Sequence, residues 1–276
     1  MTSSSAAASP PGAARLPTDA AFAWLRAGWA DAKIQPGLSF GYGVAVFLAS
    51  WAMVGAIFLV GWGNALFPAL AGFMILGPVV AVGLYEKSRR LERGESVTLG
   101  EMLGAGFRNR GQILFVGALL ALLVMIWMRA ATIIAALFLG WKPVPNEFSS
   151  VMELLFTTPA GLGMLVTGSL VGALFAGLSF AIGAFAAPML LDRERDLDAF
   201  TAMGVSATLV WRHLPAMLAW GACVLAAFAF SLATGLFGLI IAFPLIGHAT
   251  WRAYESLRGE AAELIGAEAP AQAEEA

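Results

Sequence analysis

The sequence has little charge, one cysteine and two histidines. Charged residues make up only 12% of the 276 positions, about half the share of an ordinary soluble domain, while 59% are hydrophobic. The lone Cys223 excludes an internal disulfide and a cysteine-based metal site. Neither a P-loop nor an HExxH or GxSxG motif occurs, so we expect no catalytic site, cofactor or metal site. This composition excludes an ordinary soluble enzyme.

The charges are clustered, and long tracts between the clusters contain none. A helix needs about 20 apolar residues to cross a hydrocarbon core of about 30 Å, so the tracts predict membrane spans. The prediction is an all-α, polytopic membrane helix bundle over residues 36–258 with six transmembrane helices, a seventh being the alternative count. The six predicted spans are 38–60, 65–85, 111–131, 161–190, 215–233 and 236–255. The arrangement of 132–160 stays open between an interfacial helix and a re-entrant segment.

Positive charge predicts the orientation, because cytoplasmic loops retain Lys and Arg. With a cytoplasmic N-terminus, 14 of the 16 Lys and Arg residues fall on the inner side. Only Lys142 falls outside, and Arg129 lies inside or beside a span. Both termini are therefore predicted to be cytoplasmic, in a multi-pass protein whose surroundings are the lipid bilayer and not nucleic acid.

The two ends of the chain differ from the apolar centre. Residues 1–17 are rich in Ser, Ala and Pro, which is typical of a disordered tail. Phe22, Leu25 and Trp29 recur at helical spacing within 18–35, which predicts a short amphipathic helix lying in the headgroup layer or docked on the bundle. Glutamates among Ala, Gln and Pro predict an acidic disordered tail over 259–276.

Three inward-going spans have a proline near their inner end: Pro78, Pro188 and Pro244. The first two are followed by connectors that predict short helices ending at Arg110 and Arg212, with Ser96 and Asp198 as N-caps. We expect three consecutive helical hairpin repeats. The prolines are expected to kink or end their helices.

The fourth span is rich in small residues. Gly168 and Gly172 form a GxxxG pair, and Gly177 continues the series. Small residues let membrane helices approach closely, so these glycines are expected at helix contacts near the bundle centre. A small-residue wall along a transport path is the alternative.

A few polar residues are candidates for function. His248 is predicted about 20 Å from the outer face, where an ionisable residue is either functional or hydrogen bonded to a neighbouring helix. Arg129 is expected near the outer boundary, as an anchor or as a buried partner of Glu153. Asp192 and Arg193 begin a mixed-charge run that favours salt bridges or a small metal or phosphate site, and Glu86 belongs to a similar run.

Several segments of the chain resemble a known family. The most specific is Ala187–Arg193, and the others are Asp198–Met203, Gly247–Trp251, Gly77–Pro78 and Gly83–Glu86. They are similar to a bacterial family of predicted integral membrane proteins, the domain of unknown function two-one-eight-nine, over about residues 24–257. The resemblance implies a multi-pass inner-membrane protein of Gram-negative bacteria with no established activity. Some members carry a cytochrome c oxidase label, yet a haem–copper subunit needs more histidine ligands than the two found here.

Three hypotheses follow for function. The first is a non-catalytic structural or accessory membrane subunit, with a membrane-protein partner or self-association. The second is a small-molecule or lipid transporter that uses Arg129 and His248. The third is an intramembrane haem or quinone site at His248.

Overall fold

The computed structural model describes residues 15–61, 66–108, 110–140, 148–192 and 197–266. These residues form helices and turns, and none of them lies in a strand. The helices are α1 (Ala20–Lys33), α2 (Pro36–Leu59), α3 (Leu66–Val80), α4 (Val82–Glu92), α5 (Leu99–Arg108), α6 (Arg110–Leu139), α7 (Phe148–Thr157), α8 (Pro159–Gly183), α9 (Ala186–Asp192), α10 (Ala199–Arg212), α11 (Leu214–Ala233) and α12 (Leu239–Ile265). The all-α prediction is confirmed for this part of the chain.

Four stretches are long and apolar enough to cross a membrane: Pro36–Leu59, Gly111–Leu139, Pro159–Asp192 and Leu214–Ala233. They coincide with the first, third, fourth and fifth predicted spans. The other two predicted spans, 65–85 and 236–255, are not among the four. The first of these is divided between α3 and α4 at Ala81, and the second lies in α12, whose later turns are charged. The count of six is therefore not confirmed.

Burial divides the molecule into two regions. In each of the four apolar stretches only 17% to 33% of the most hydropathic window is buried. By contrast, every residue of 81–89, 183–191 and 247–251 is buried, on all sides of its helix. These three segments contact one another through α4, α9 and α12. We call the end formed by α1, α4, α5, α9, α10 and the second half of α12 the charged end, and the part formed by α2, α3, α6, α8 and α11 the apolar half.

Side chains stabilise the two helix breaks at the boundary of these regions. At the first break the Tyr42 hydroxyl donates to the Val80 carbonyl at 2.6 Å. At the second, the Ser206 hydroxyl accepts from the Phe185 backbone N–H at 3.1 Å and donates to the Ala181 carbonyl at 2.8 Å. Ser206 thus takes the place of one backbone hydrogen bond, a recognised cause of a sharp bend.

The three prolines behave differently from one another. Pro78 lies in α3, three residues before the break at Ala81. Pro188 is the third residue of α9, just after the break between α8 and α9. Pro244 lies inside α12, which continues without interruption from Leu239 to Ile265. Pro78 and Pro188 therefore lie close to helix ends, whereas α12 does not end at Pro244, and a kink at each proline stays a prediction. The three-hairpin repeat is not confirmed.

Both connector helices are present as α5 and α10. Asp198 caps α10 by accepting from the Thr201 backbone N–H at 3.0 Å, as predicted. For α5 the predicted cap Ser96 is wrong, because Thr98 and Glu101 form a reciprocal capping box instead. Hydrogen bonds from Thr201 lower the pKa of the Asp198 carboxyl group, and hydrogen bonds from Thr98 lower the pKa of the Glu101 carboxyl group.

The chain ends are more ordered than predicted where the structure describes them. Helix α12 continues through 259–265, because Ala261 and Ala262 are buried and Glu260 is paired. The prediction of a disordered tail is therefore wrong for 259–265, and 267–276 lie outside the described residues. At the other end, 1–14 lie outside them too, while the Leu16 N–H donates to His213 at 3.1 Å.

Candidate functional site

Helix α1 docks on the bundle by a face that the apolar pattern did not single out. Ala21, Trp24, Gly28 and Asp31 are buried, and they recur at spacings of three and four. Phe22 remains 62% exposed on another side of the helix. A Cβ atom at Gly28 would lie 2.5 Å from the Ala249 backbone nitrogen, so this contact with α12 requires glycine. The buried face carries Asp31 into the charged end.

Lys87 closes the C-terminal end of α1. Its ammonium group is fully buried and donates to the Ile34 carbonyl, and the carbonyls of Asp31 and Gln35, both at 3.3 Å, share another of its three N–H groups. It also donates to the Ser39 hydroxyl at 2.6 Å. Burial lowers the pKa of Lys87 to about 8, although the nearby Asp31 carboxylate opposes this change.

His248 lies between two serines in the same network. Its Nε2 is 2.8 Å from the Ser39 hydroxyl, and its Nδ1 is 2.8 Å from the Ser88 hydroxyl. Ser88 donates its one proton to the Asp31 carboxylate at 2.7 Å, so it must accept from Nδ1–H of the imidazole. A neutral imidazole has only this one N–H, so Nε2 accepts from the Ser39 hydroxyl, which itself accepts from Lys87. The result is a continuous, directional chain of hydrogen bonds from Lys87 to Asp31 through a neutral histidine.

Arg252 completes this network on α12. It donates two hydrogen bonds to the Asp31 carboxylate, at 2.8 and 2.6 Å, and a third to Glu255 at 2.8 Å. Bidentate pairs of this kind are the strong form of ion pair. We call Asp31, Ser39, Lys87, Ser88, His248 and Arg252 the buried polar network. It joins α1, α2, α4 and α12 and leaves both His248 nitrogens occupied.

A second cluster contains Asp192, one of the sequence candidates. Arg258 donates to Glu92 at 2.6 and 3.0 Å, and its Nε lies 3.0 Å from the Asp192 carboxylate. The Tyr254 hydroxyl donates to Asp192 at 3.0 Å, and Trp251 donates to Glu92 at 3.2 Å. The Arg258 hydrogen bonds are the main reason that the pKa of Glu92 is lowered. This cluster holds the ends of α4, α9 and α12 together.

The remaining sequence candidates fall in different places. Glu86 is buried and accepts from Arg89 at 2.8 Å and from Arg90 at 2.7 Å, and Arg90 continues to Glu101 on α5. Arg193 lies outside the described residues. Within the described ranges no group of three or more His, Cys, Asp or Glu side chains is arranged to hold a metal ion. Glu86 thus forms ion pairs within α4, and Arg90 extends them to α5.

Arg129 and His248 are not brought together. Arg129 is exposed on α6, a helix that packs mainly on α8 and α3, while His248 is enclosed on α12. No ion pair joins Arg129 to Glu153, although the structure describes both side chains.

His213, at the end of α10, is also buried. Its Nδ1 accepts from Leu16, and its Nε2 is 2.7 Å from Glu260. Arg212 donates to the same carboxylate at 2.9 Å. His213 therefore ties the segment before α1 to the last turns of α12.

The glycines of α8 serve different purposes. A Cβ at Gly172 would meet the Trp127 ring at 3.1 Å, so this is a close helix contact, as predicted. Gly168 and Gly177 have open space around the Cβ position, so the prediction of helix packing within the chain is wrong for them. Gly161 and Gly163 of the same helix are much tighter, because a Cβ would meet the Leu154 carbonyl at Gly161 and the Phe138 ring at Gly163. Close contacts on other helices occur at Gly28, Gly43 and Gly247. In the sequence these stand out only as small residues on faces that later prove buried.

One comparison with known proteins finds a match over part of the chain. Residues 66–192 match the model of the family described as predicted integral membrane protein (DUF2189). This confirms, for that stretch, the resemblance found in the sequence, and the four apolar helices agree with it. Neither a curated protein nor a solved structure matches the chain.

Proposed function

We propose that this protein is a non-catalytic structural or accessory subunit that associates with another membrane protein, or with a second copy of itself, through α8. The exposed surface of α8 carries the proposal. Ser169, Ala173 and Gly177 are small, exposed and spaced four residues apart. Beside them runs a second exposed series, also at spacing four: Leu162, Val166, Leu170, Leu174 and Leu178.

A groove of small residues beside a ridge of leucines suits contact between membrane helices. In lipid no hydrophobic force drives helices together, so association depends on close packing at small residues. The open space at Gly177 leaves room for the ridge of another helix. A surface that carries both ridge and groove can also pair with its own copy about a twofold axis.

The polar residues support a role without catalysis. Each histidine nitrogen has a partner within the protein, and Asp31, Glu86, Glu92 and Asp192 all form ion pairs. The transport alternative needs Arg129 and His248 on one path, and they lie on helices with different neighbours. These hydrogen bonds and ion pairs support the structural or accessory role over the transport alternative.

We further propose six spans with both termini in the cytoplasm of a bacterium. Residues 66–85 of α3 and α4 together would cover about 30 Å, enough for one crossing. The cations of α4 and α12, among them Lys87, Arg90 and Arg258, lie at the same end of the bundle, as the positive-inside rule requires of a cytoplasmic face. A C-terminal alkaline phosphatase fusion should be inactive, and an active fusion would contradict this orientation.

Association can be tested on tagged protein purified in mild detergent at native expression level. Measuring the intact mass should reveal a second copy or a partner in fixed ratio. Gly177→Leu should weaken the complex, because it fills the groove. The matched control is Gly41→Leu on α2, an exposed glycine that also has open space around its Cβ position. A strictly monomeric protein would contradict the proposed role, and an unaffected Gly177→Leu complex would contradict the α8 surface.

A further inference from the structure

A cavity of about 760 Å³ lies in the apolar half, between α3, α8, α11 and the first turns of α12. Its walls include the aromatic side chains of Phe73, Trp127, Phe180, Trp220, Phe228 and Phe243. Ligand pockets usually measure about 300 to 1,000 Å³ and are mostly apolar with a few polar groups. The cavity therefore has the size and lining of a binding site for a small lipophilic molecule.

The lining contains no charged residue within the part of the chain that the structure describes. A phospholipid headgroup, with its charged phosphate, would find no partner there and would lose its water. The molecule that fits inside is uncharged. Helices α8 and α11 both border the cavity and have few close contacts with each other, one of them between Phe180 and Gly221, which leaves a gap between the two helices.

One polar group in the cavity wall lacks a partner. Ser179 is 5% exposed, and its hydroxyl forms no hydrogen bond with the described residues. Two other hydroxyls of the lining have partners: Ser231 donates to the Ala227 carbonyl and Thr250 to the Ile246 carbonyl, both at 2.8 Å. A buried hydroxyl without a partner is costly, and it calls for an oxygen atom supplied by something in the cavity.

We infer that the cavity binds an uncharged lipid-like molecule that enters between α8 and α11 and whose hydroxyl or carbonyl oxygen hydrogen bonds to Ser179. The aromatic walls contact the hydrocarbon part. This site adjoins the α8 surface proposed for association, because Ser169 and Ala173 also line the cavity, whereas Gly177 does not.

A pair of photoreactive probes tests the inference on the purified full-length protein. One is a diazirine-bearing hexadecanol, and the other is the same chain without the hydroxyl group. Peptide mass spectrometry should map labelling by the alcohol to α8 and α11. Gly168→Phe should abolish it by filling the cavity, while Gly41→Phe on α2, which does not line the cavity, should leave it unchanged. Equal labelling of these two variants would overturn the site.

A folding defect in Gly168→Phe would show as a lowered melting temperature. In that case Ala176→Phe, which fills the cavity from its exposed edge, provides the same test. Retained labelling in a folded cavity-filling variant overturns the proposal.

Ser179→Ala tests the hydrogen bond separately. The preference for the alcohol over the hydrocarbon probe should fall roughly fivefold, the worth of one neutral hydrogen bond. Ser169→Ala, at the exposed rim of the cavity, is the control and should keep the preference. An undiminished preference in Ser179→Ala, or no preference in the wild type, would overturn the role of the serine.

Discussion

The charged end and the apolar half of this molecule are built on different principles. At the charged end, segments such as 81–89 are buried on every side, and their polar groups are satisfied by named partners. In the apolar half most side chains face outwards. Lipid is as apolar as leucine, so burying these side chains would stabilise little. Contacts at the charged end therefore contribute most of the stability of the fold, while the apolar half has exposed surface and a cavity available for binding.

Removing the carboxylate of the buried polar network should have the largest effect. Asp31→Ala leaves Arg252 and Ser88 without their partner, and breaking a buried ion pair in this way costs about 3 to 5 kcal/mol. Thermal unfolding in detergent, followed by tryptophan fluorescence, measures the loss. Glu255→Ala removes the more exposed partner of the same arginine and should cost much less. Equal losses would show that burial is not what matters here.

Matched glycine variants compare the two regions directly. Gly28→Val forces side-chain atoms into the Ala249 backbone and should destabilise by about 1 to 3 kcal/mol. Gly177→Val adds the same atoms in open space and should change stability by less than about 0.5 kcal/mol. If Gly177→Val proved as costly as Gly28→Val, the apolar half would be packed as tightly as the charged end.

The lowered pKa of Lys87 predicts that the folded protein becomes more stable as the pH rises above about 8. Its folded pKa of about 8 is below the ordinary 10.5, so between these values the unfolded chain binds a proton that the folded chain does not. Stability must then increase with pH through this window, by an amount on the order of 2 kcal/mol. The difference in unfolding free energy between wild type and Lys87→Met, measured from pH 7 to 10.5, should move in favour of the wild type. A constant difference would contradict the burial of a charged lysine.

The lowered pKa of Glu92 predicts a smaller loss of stability at acid pH. Its pKa is lowered by the Arg258 hydrogen bonds, so its stabilisation is complete above pH of about 4.5 and is lost as pH falls through the lowered folded value. Glu92→Gln should cost about 1 kcal/mol at pH 7 and nothing at strongly acid pH. Glu95, whose side chain is 48% exposed, is the control, and Glu95→Gln should have no measurable effect. A cost for Glu92→Gln that persists in acid would rule out the ion pair as its cause.

The sequence predicts the apolar half better than the charged end. Spans such as α2 and α11 follow from charge-free tracts, and the cap at Asp198 follows from local chemistry. The buried polar network does not, because Asp31 and Lys87 are 56 positions apart and both lie in runs that look solvated. Their burial depends on α1 folding back onto α12 at Gly28. The unpartnered Ser179 is likewise invisible until the neighbouring helices are in place.

The most direct test of this difference compares the same substitution, leucine to alanine, at one position in each region. Leu190 is fully buried at the charged end, and Leu174 is 70% exposed on α8. Unfolding of the purified protein should show that Leu190→Ala costs about 2 to 5 kcal/mol. Leu174→Ala should change the unfolding free energy by less than about 0.5 kcal/mol. Equal losses at the two positions would contradict the conclusion that the charged end holds the fold together.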